Sequence, residues 1–254
     1  MAELDRRYEQ TVGRADAGAI DQGLRAYMLR VYNYMASGVA VTGIVAWLTY
    51  QAAGGGAIQV SAQGMSGLTS FGQMIYSFPA MLVMFGALLG FVFLVNGMIN
   101  RLQVGSAVML FLAFSALFGL MMSSIFVTYT GVSITRVFFI TAASFAGLSL
   151  YGYTTKRDLS PIGSFLIMGL VGIIIAMIVN LFLASGALAF AISVIGVLIF
   201  AGLTAYDTQR IKEMYSANDD GTVAGRKAVM GALSLYLDFI NLFMFLLSIF
   251  GGRR

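Results

Sequence analysis

The sequence predicts an all-α, polytopic membrane protein, and three observations lead to that fold class. Of the 254 residues, 59% are hydrophobic and 10% are charged, whereas soluble domains carry about 25% charged residues. Several apolar runs reach the roughly 20 residues with which a helix crosses about 30 Å of hydrocarbon. These runs are continuous and lack the alternation that barrel strands show. Because lipid offers the backbone no hydrogen-bond partners, we expect the spans to be helices.

Seven hydrophobic segments are long enough to span a membrane. In chain order they are Leu24–Gln51, Tyr76–Asn96, Gln103–Tyr129, Ser133–Tyr153, Pro161–Ala184, Ala187–Asp207 and Ala228–Phe250. Residues 1–23 carry charges of both signs and contain no apolar core, which is unlike a cleavable signal peptide. We therefore expect a short cytoplasmic tail at 1–23, followed by one transmembrane domain at 24–254.

The distribution of basic residues predicts the orientation. Cytoplasmic loops of membrane proteins carry an excess of Lys and Arg. Arg253 and Arg254 fall on the opposite side under a seven-span count, so an even number of spans or a re-entrant last segment stays open. The other basic residues that bear on the orientation all fall on one side, which we expect to be cytoplasmic together with the amino terminus: Arg6, Arg7, Arg14, Arg25, Arg30, Arg101, Lys156, Arg157, Arg210, Lys212, Arg226 and Lys227.

The composition excludes several kinds of chemistry. The chain contains no cysteine and no histidine, so it has no disulfides, no thiolate metal sites and no histidine base. The net charge of +4 reflects topology, and we expect no nucleic-acid partner. Without Cys or His the usual nucleophile–base pairs are missing, although Ser–Lys chemistry is not strictly excluded. We expect neither an enzyme nor a cofactor.

Three ionisable side chains stand out within the predicted spans, where such groups are rare and usually functional. Asp238 is roughly 15 Å inside the last span at 1.5 Å per residue. Asp207 closes span six, and it lies about 10 Å inside the helix if that helix continues toward Met214. Arg136 lies near the outer start of span four, where its long side chain can reach the interface.

Each of these residues also has a purely structural interpretation. Asp238 is then a hydrogen-bonded carboxyl group, and Asp207 pairs with Arg210, which lies one turn further along the same helix. Arg136 is more simply an interfacial anchor.

The two aspartates lie at similar depth on consecutive antiparallel helices, so they can form an acid pair. Burial and mutual repulsion favour the protonated form of a carboxyl group, and we expect one shared proton that belongs to the pair as a whole. Loss of this proton pushes the two spans apart, or a cation replaces it. Thr208 and Asn241 are candidates to add oxygen ligands. Calcium takes about six to eight oxygens, so this would be a weak, transient site.

The residues around the two aspartates resemble the Bax inhibitor family, the transmembrane Bax-inhibitor-motif superfamily, in its bacterial branch. The matching stretches are Tyr206-Asp207-Thr208-Gln209 in span six and Leu235-Tyr236-Leu237-Asp238-Phe239-Ile240-Asn241 in span seven. Leu29-Arg30-Val31-Tyr32 in span one is similar to the sequence with which the first span of the family usually begins. With the seven-span layout, the resemblance covers most of the chain past the tail.

This resemblance implies six helices around a central seventh and a pH-sensitive leak pathway for calcium. The two aspartates that latch such a pathway correspond to Asp207 and Asp238. Some members pair this latch with an arginine in span two, whereas here that span has none before Arg101. The charge partner of the pair is therefore Arg101, Arg210 or neither.

Three functions are consistent with the sequence. The first is a pH-sensitive cation leak in a bacterial inner membrane, with calcium as the permeant ion. The second is a non-conducting regulator that binds a membrane protease or another membrane protein, as one bacterial relative does. The third is an intramembrane aspartyl protease, which Tyr206-Asp207 half resembles. That family has glycine before its second aspartate, whereas Leu237 precedes Asp238, and no proline lies in the last span.

Overall fold

The computed structural model describes residues 2–61, 64–98 and 102–253, and it describes side chains over 22–61, 64–91 and 102–253. Within these ranges the chain forms helices, apart from one short antiparallel hairpin. The elements are α1 (Ala2–Ala52), a 3-10 turn (Gly55–Ala57), β1 (Gln59–Ser61), β2 (Gly64–Ser66), α2 (Ser70–Ile75), α3 (Phe78–Met98), α4 (Val104–Met122), α5 (Ile125–Thr128), α6 (Gly131–Thr154), α7 (Ser160–Leu183), α8 (Gly186–Glu213) and α9 (Gly221–Phe250).

The helices confirm the predicted all-α membrane class. Over the described residues, six helical stretches are long and apolar enough to cross a membrane: α1 from Gln22, α4 with α5, α6, α7, α8 and α9. Helix α3 is a further apolar helix at the position of predicted span two. Each of the seven predicted segments therefore coincides with a helix, and the count of seven spans stays a prediction. Helix α1 begins at Ala2, so the predicted tail is helical where the structure describes it.

Helix α9 forms the centre of the bundle. It packs mainly against α8, α1, α6 and α4, while α3 packs on α4 and α7 packs on α8. Tyr236, Leu235, Leu242 and Leu247 of α9 are among the largest fully buried side chains of the described chain. Four helices are thus the main neighbours of α9, and the arrangement of six helices around a seventh stays a prediction.

Two helix boundaries differ from the predicted ones in a way that matters for the acid pair. Helix α8 continues past Asp207 to Glu213, with Arg210 and Lys212 in its last turn, where basic side chains interact favourably with the helix dipole. Helix α9 begins at Gly221, because the Asp220 side chain accepts hydrogen bonds from the first backbone N–H groups. Hydropathy places both boundaries too far inside the span because the terminal turns of these helices are polar.

The two ends of α9 lie at opposite ends of the bundle. At one end, which we call the basic end because it carries Lys156, Arg157, Lys212, Arg226 and Lys227, Arg226 Nε donates to Leu102 O over 2.6 Å. At the other end, Thr130 N donates to Gly252 O over 3.0 Å. Helix α9 is one unbroken helix, so the described chain does not form the re-entrant last segment that the sequence left open.

The uncharged connection after α1 folds into a small cap at the end opposite the basic end. Its hairpin and α2 return the chain to α1, where Thr69 Oγ1 donates to Ala52 O over 2.7 Å. A small apolar cluster of Tyr50, Ala53, Ile58 and Val127 holds this cap against α5.

Candidate functional site

The structure brings Asp207 and Asp238 together at the interface of α8 and α9. The two carboxyl groups are close enough for a side-chain hydrogen bond to form between them when one of them is protonated. Asp238 is only 4% exposed, while Asp207 is partly buried. A carboxylate only accepts hydrogen bonds, so a bond between two carboxyl groups needs a proton on one of them. The contact therefore favours a state in which at least one of the two groups is protonated.

Small residues allow α8 and α9 to pack closely enough for this contact. Gly231 of α9 lies against Ile211, and Gly196 of α8 lies against Phe245, where a methyl group would overlap the facing side chain in each case. Between these two contacts the helices run antiparallel, and the acid pair lies in the same interface. Packing on either side of the pair thus fixes the distance between the two backbones.

One oxygen of the pair is isolated. Asp238 Oδ2 is buried and has no hydrogen-bond partner among the described residues. A buried charge without a partner is costly, and a proton on this oxygen or a cation beside it would offset that cost. Asp207 is also attracted electrostatically by Arg210. The structure thus shows the contact with Asp238, whereas Arg210 influences Asp207 without forming an ion pair with it; an ion pair within 4.0 Å among the described residues joins Lys227 and Asp219.

Thr208 and Asn241, which were expected to add oxygen ligands to the pair, use their side chains in other hydrogen bonds. Thr208 points its hydroxyl toward α6, where it lies 2.9 Å from Ser149 Oγ, and it donates to Thr204 O over 2.7 Å. Asn241 donates its amide to Leu237 O of its own helix over 2.8 Å. Among the described residues, no group of three or more Asp, Glu, His or Cys side chains could hold a metal. The described chain therefore offers a cation mainly the two carboxyl groups.

The structure describes one of the two remaining predicted residues, Arg136. Arg101 falls outside the described residues, so its proposed pairing with the aspartates is not described. Arg136 is exposed near the start of α6, toward the end opposite the basic end.

A chain of hydroxyl groups approaches the pair from α1, and the sequence did not identify it as functional. Tyr32 OH lies 2.6 Å from Ser149 Oγ, which in turn lies 2.9 Å from Thr208 Oγ1. Tyr32 lies in one of the stretches that resemble the family, and this was the only feature of the sequence that pointed to it. Nothing in the sequence pointed to Ser149, because a serine in an apolar span is common.

The next residue along α8, Gln209, fixes the loop between α6 and α7. Its Oε1 accepts from Leu159 N and its Nε2 donates to Arg157 O, both over 2.8 Å. Lys212 Nζ donates to Tyr153 O over 2.8 Å in the same region. Consecutive residues of the Tyr206-Asp207-Thr208-Gln209 motif thus contact different parts of the bundle.

Tyr236 anchors the other side of α9. Its hydroxyl lies 2.7 Å from Thr42 Oγ1, which donates to Ser115 O over 2.8 Å. The Tyr236 ring packs edge-on against Phe111 and Phe118 of α4. Tyr236 therefore ties α9 to α1 and α4, on a different face of the helix from Asp238.

Two cavities lie between α1 and α6. One, of about 560 Å³, is lined by Arg25, Tyr32, Ser149 and Tyr153 together with apolar side chains, and we call it the basic-end groove. The other, of about 230 Å³, lies nearer the opposite end, and Phe239 of α9 contributes to its wall. Phe239 also packs against Phe145 of the basic-end groove, with ring centroids 5.5 Å apart, so aromatic rings separate the two cavities.

Comparison with known proteins identifies the family. The family model described as Inhibitor of apoptosis-promoting Bax1 matches residues 24–254. The inner membrane protein YbhL of Escherichia coli K12 is 44% identical over 235 residues, which are 91% of this chain and 94% of that protein. An uncharacterised protein of Caulobacter vibrioides is 43% identical over 259 residues, covering 100% of both chains. The chain belongs to the Bax inhibitor family, as the motifs predicted, and it is an integral membrane protein.

Proposed function

We propose that this member of the Bax inhibitor family is a pH-sensitive calcium leak, and that Asp207 and Asp238 are its gate. The observation that carries the proposal is the contact between the two carboxyl groups inside the helix interface. Carboxyl groups at such a depth in a membrane protein usually serve ion or proton pathways. The paired arrangement adds a reason for pH to control the pathway.

The shared proton stabilises the closed packing of α8 on α9. Once it is lost, two negative charges about 4 Å apart repel by about 4 kcal/mol at an effective dielectric of roughly 20. Asp238 Oδ2 has no hydrogen-bond partner among the described residues that would offset this repulsion. An energy of this size is comparable to the gap between two conformations of a helix bundle. Deprotonation therefore favours separation of the two helices.

A cation can take the place of the proton. Two carboxyl groups supply hard, anionic oxygens of the kind that calcium prefers. Because calcium takes about six to eight oxygens, most of its ligands here must be water. Binding is then weak enough for the ion to leave again, which transport requires.

The membrane and the orientation are part of the proposal. YbhL carries the name of an inner membrane protein, and we assign this chain to the same kind of bacterial membrane. The basic end faces the cytoplasm under the positive-inside rule.

Calcium flux into liposomes tests the proposal. Purified full-length protein is reconstituted with a calcium indicator inside, and flux is followed from acidic to alkaline pH. The Asp207→Asn and Asp238→Asn variants should lose the pH-dependent part of the flux. Asp158→Asn is the matched control, because it removes a carboxylate from the exposed α6–α7 loop and keeps an oxygen for Ser160 N. The proposal is wrong if wild-type protein passes calcium no faster than both pair variants at every pH.

A non-conducting regulator predicts a different outcome of the same work. Flux would be absent from wild-type liposomes, and crosslinking in native membranes would retain a specific protein partner, such as a membrane protease. The leak has the acid pair as its physical basis, whereas no described surface points to a particular protein partner.

A further inference from the structure

We infer that the basic-end groove binds one anionic phospholipid of the surrounding membrane. In this arrangement the lipid phosphate contacts Arg25, and an acyl chain lies along the groove over Tyr32 and Ser149. The binding itself does not depend on the function proposed above.

The length of the groove fits a lipid that occupies one leaflet. Along α1 its wall runs from Arg25 to Ala36, which is about 16 Å at 1.5 Å per residue. This is roughly half of the ~30 Å hydrocarbon thickness of a bilayer. The groove therefore extends from one membrane surface to about the bilayer centre, as one acyl chain does.

The two ends of the groove differ in chemistry as the two ends of a phospholipid do. Arg25 and Tyr153 form the end nearer the membrane surface, and Lys212 lies with its Nζ 5.6 Å from the centre of the Tyr153 ring. The deeper part is lined by apolar side chains such as Met35 and Phe145. Basic pockets between transmembrane helices are typical sites for anionic head groups, and the apolar remainder favours a lipid over a soluble anion.

The acyl chain would cover the hydroxyl groups that lead to the acid pair. Tyr32 and Ser149 line the groove and are hydrogen-bonded to each other, and Ser149 contacts Thr208, the neighbour of Asp207. An apolar chain over these hydroxyls keeps water from them. The consequence for calcium flux rests on the proposed function, because it requires the pair to be the gate.

Native mass spectrometry of the full-length protein tests the inference. The protein is released from detergent micelles after incubation with equal amounts of phosphatidylglycerol and phosphatidylcholine, and the bound lipid is counted. We expect wild-type protein to retain phosphatidylglycerol preferentially. Because one basic residue near the surface contributes about 1 kcal/mol to anionic lipid binding, Arg25→Gln should reduce that preference about fivefold. Arg136→Gln, which removes an exposed arginine of α6 outside the groove, should leave it unchanged.

A second variant and a competition distinguish a lipid in the groove from a soluble anion and from lipid adsorbed elsewhere on the protein. Ala146→Trp fills the apolar part of the groove and should reduce the bound lipid of both kinds, while excess inorganic phosphate should displace none. The inference is overturned if Arg25→Gln keeps the full preference, if Arg136→Gln loses as much, or if Ala146→Trp binds lipid as wild type does. Displacement by phosphate would assign the site to a soluble anion instead. No flux is measured, so these outcomes are independent of the leak proposal.

Discussion

Asp238 meets Asp207 through their carboxyl groups across the α8–α9 interface, while Oδ2 of Asp238 has no hydrogen-bond partner among the described residues. At 1.5 Å per residue, Asp238 lies about 26 Å from the start of α9 and about 18 Å from its end. The pair thus lies well inside the bundle, in the interface between the two helices.

Calcium flux is expected to rise with pH. At low pH the shared proton is in place and the helices stay packed, and as pH rises the proton is lost and the two charges repel. Asp238→Asn keeps a neutral group at all pH values, so its flux should be low and nearly constant. Liposome flux at a series of pH values measures this, with Asp158→Asn as control. Flux that falls as pH rises, or an unchanged pH profile in Asp238→Asn, contradicts the prediction.

Gly152→Ala is expected to loosen the contact of α6 with α8. A Cβ at Gly152 would overlap the carbonyl oxygen of Ala205, and overpacking of this kind costs about 1–3 kcal/mol. Thermal unfolding in detergent should show a lower midpoint. Gly147→Ala is the matched control, because a Cβ there meets nothing within 4 Å. Ala also stabilises a helix relative to Gly by up to about 1 kcal/mol, so this variant should not melt earlier than the wild-type protein. Equal midpoints for both variants would show that the close approach at Gly152 is not needed.

Tyr236→Phe is expected to destabilise the protein by about 1 kcal/mol. Thr42 Oγ1 uses its own hydrogen for Ser115 O, so the Tyr236 hydroxyl is the donor to Thr42 and its removal leaves a buried acceptor unpaired. Unfolding in detergent micelles measures the loss. Tyr151→Phe provides the control, since Tyr151 is 49% exposed on α6 and its hydroxyl can reach solvent. A loss of equal size at Tyr151 would point to a general effect of removing hydroxyl groups.

Gln209→Leu is expected to release the loop between α6 and α7. The substitution leaves Leu159 N and Arg157 O without their side-chain partner, and an unpaired buried group costs about 1–3 kcal/mol. Trypsin should then cleave after Lys156 and Arg157 faster than in wild-type protein. Gln103→Leu is the control, because Gln103 makes no capping side-chain hydrogen bond at the start of α4. Unchanged cleavage in Gln209→Leu would mean that other contacts hold the loop.

Asp158→Ala is expected to lower thermal stability at neutral pH and to have no effect in strong acid. Hydrogen bonds from the backbone and side chain of Ser160 hold the pKa of Asp158 below its ordinary value. A lowered folded-state pKa contributes stability above the unfolded pKa, and this contribution is lost as pH falls through the folded pKa. Melting curves of both proteins over that range measure the difference. Asp158 is fully exposed, so the effect should be small, and a difference that persists in acid would contradict the assignment.

The sequence alone determined the fold class and the helical segments, and it singled out the two aspartates that the structure brings together. These conclusions depend on composition and on distance along the chain, because lipid forces the backbone to satisfy its own hydrogen bonds. The family also followed from short motifs around Asp207 and Asp238. Helix boundaries were predicted less closely, since hydropathy ends a span where polar residues begin, whereas α8 continues to Glu213.

Only the tertiary structure decided which side chains meet. Span helices are apolar on most sides, so the sequence carries little information about how each helix is rotated about its axis. That rotation directs Asp207 toward α9, Thr208 toward Ser149 of α6, and Gln209 toward the α6–α7 loop. It depends on packing contacts between residues far apart in the chain, such as Gly152 with Ala205 and Gly231 with Ile211. The contact of the two carboxyl groups is therefore a property of the packed bundle.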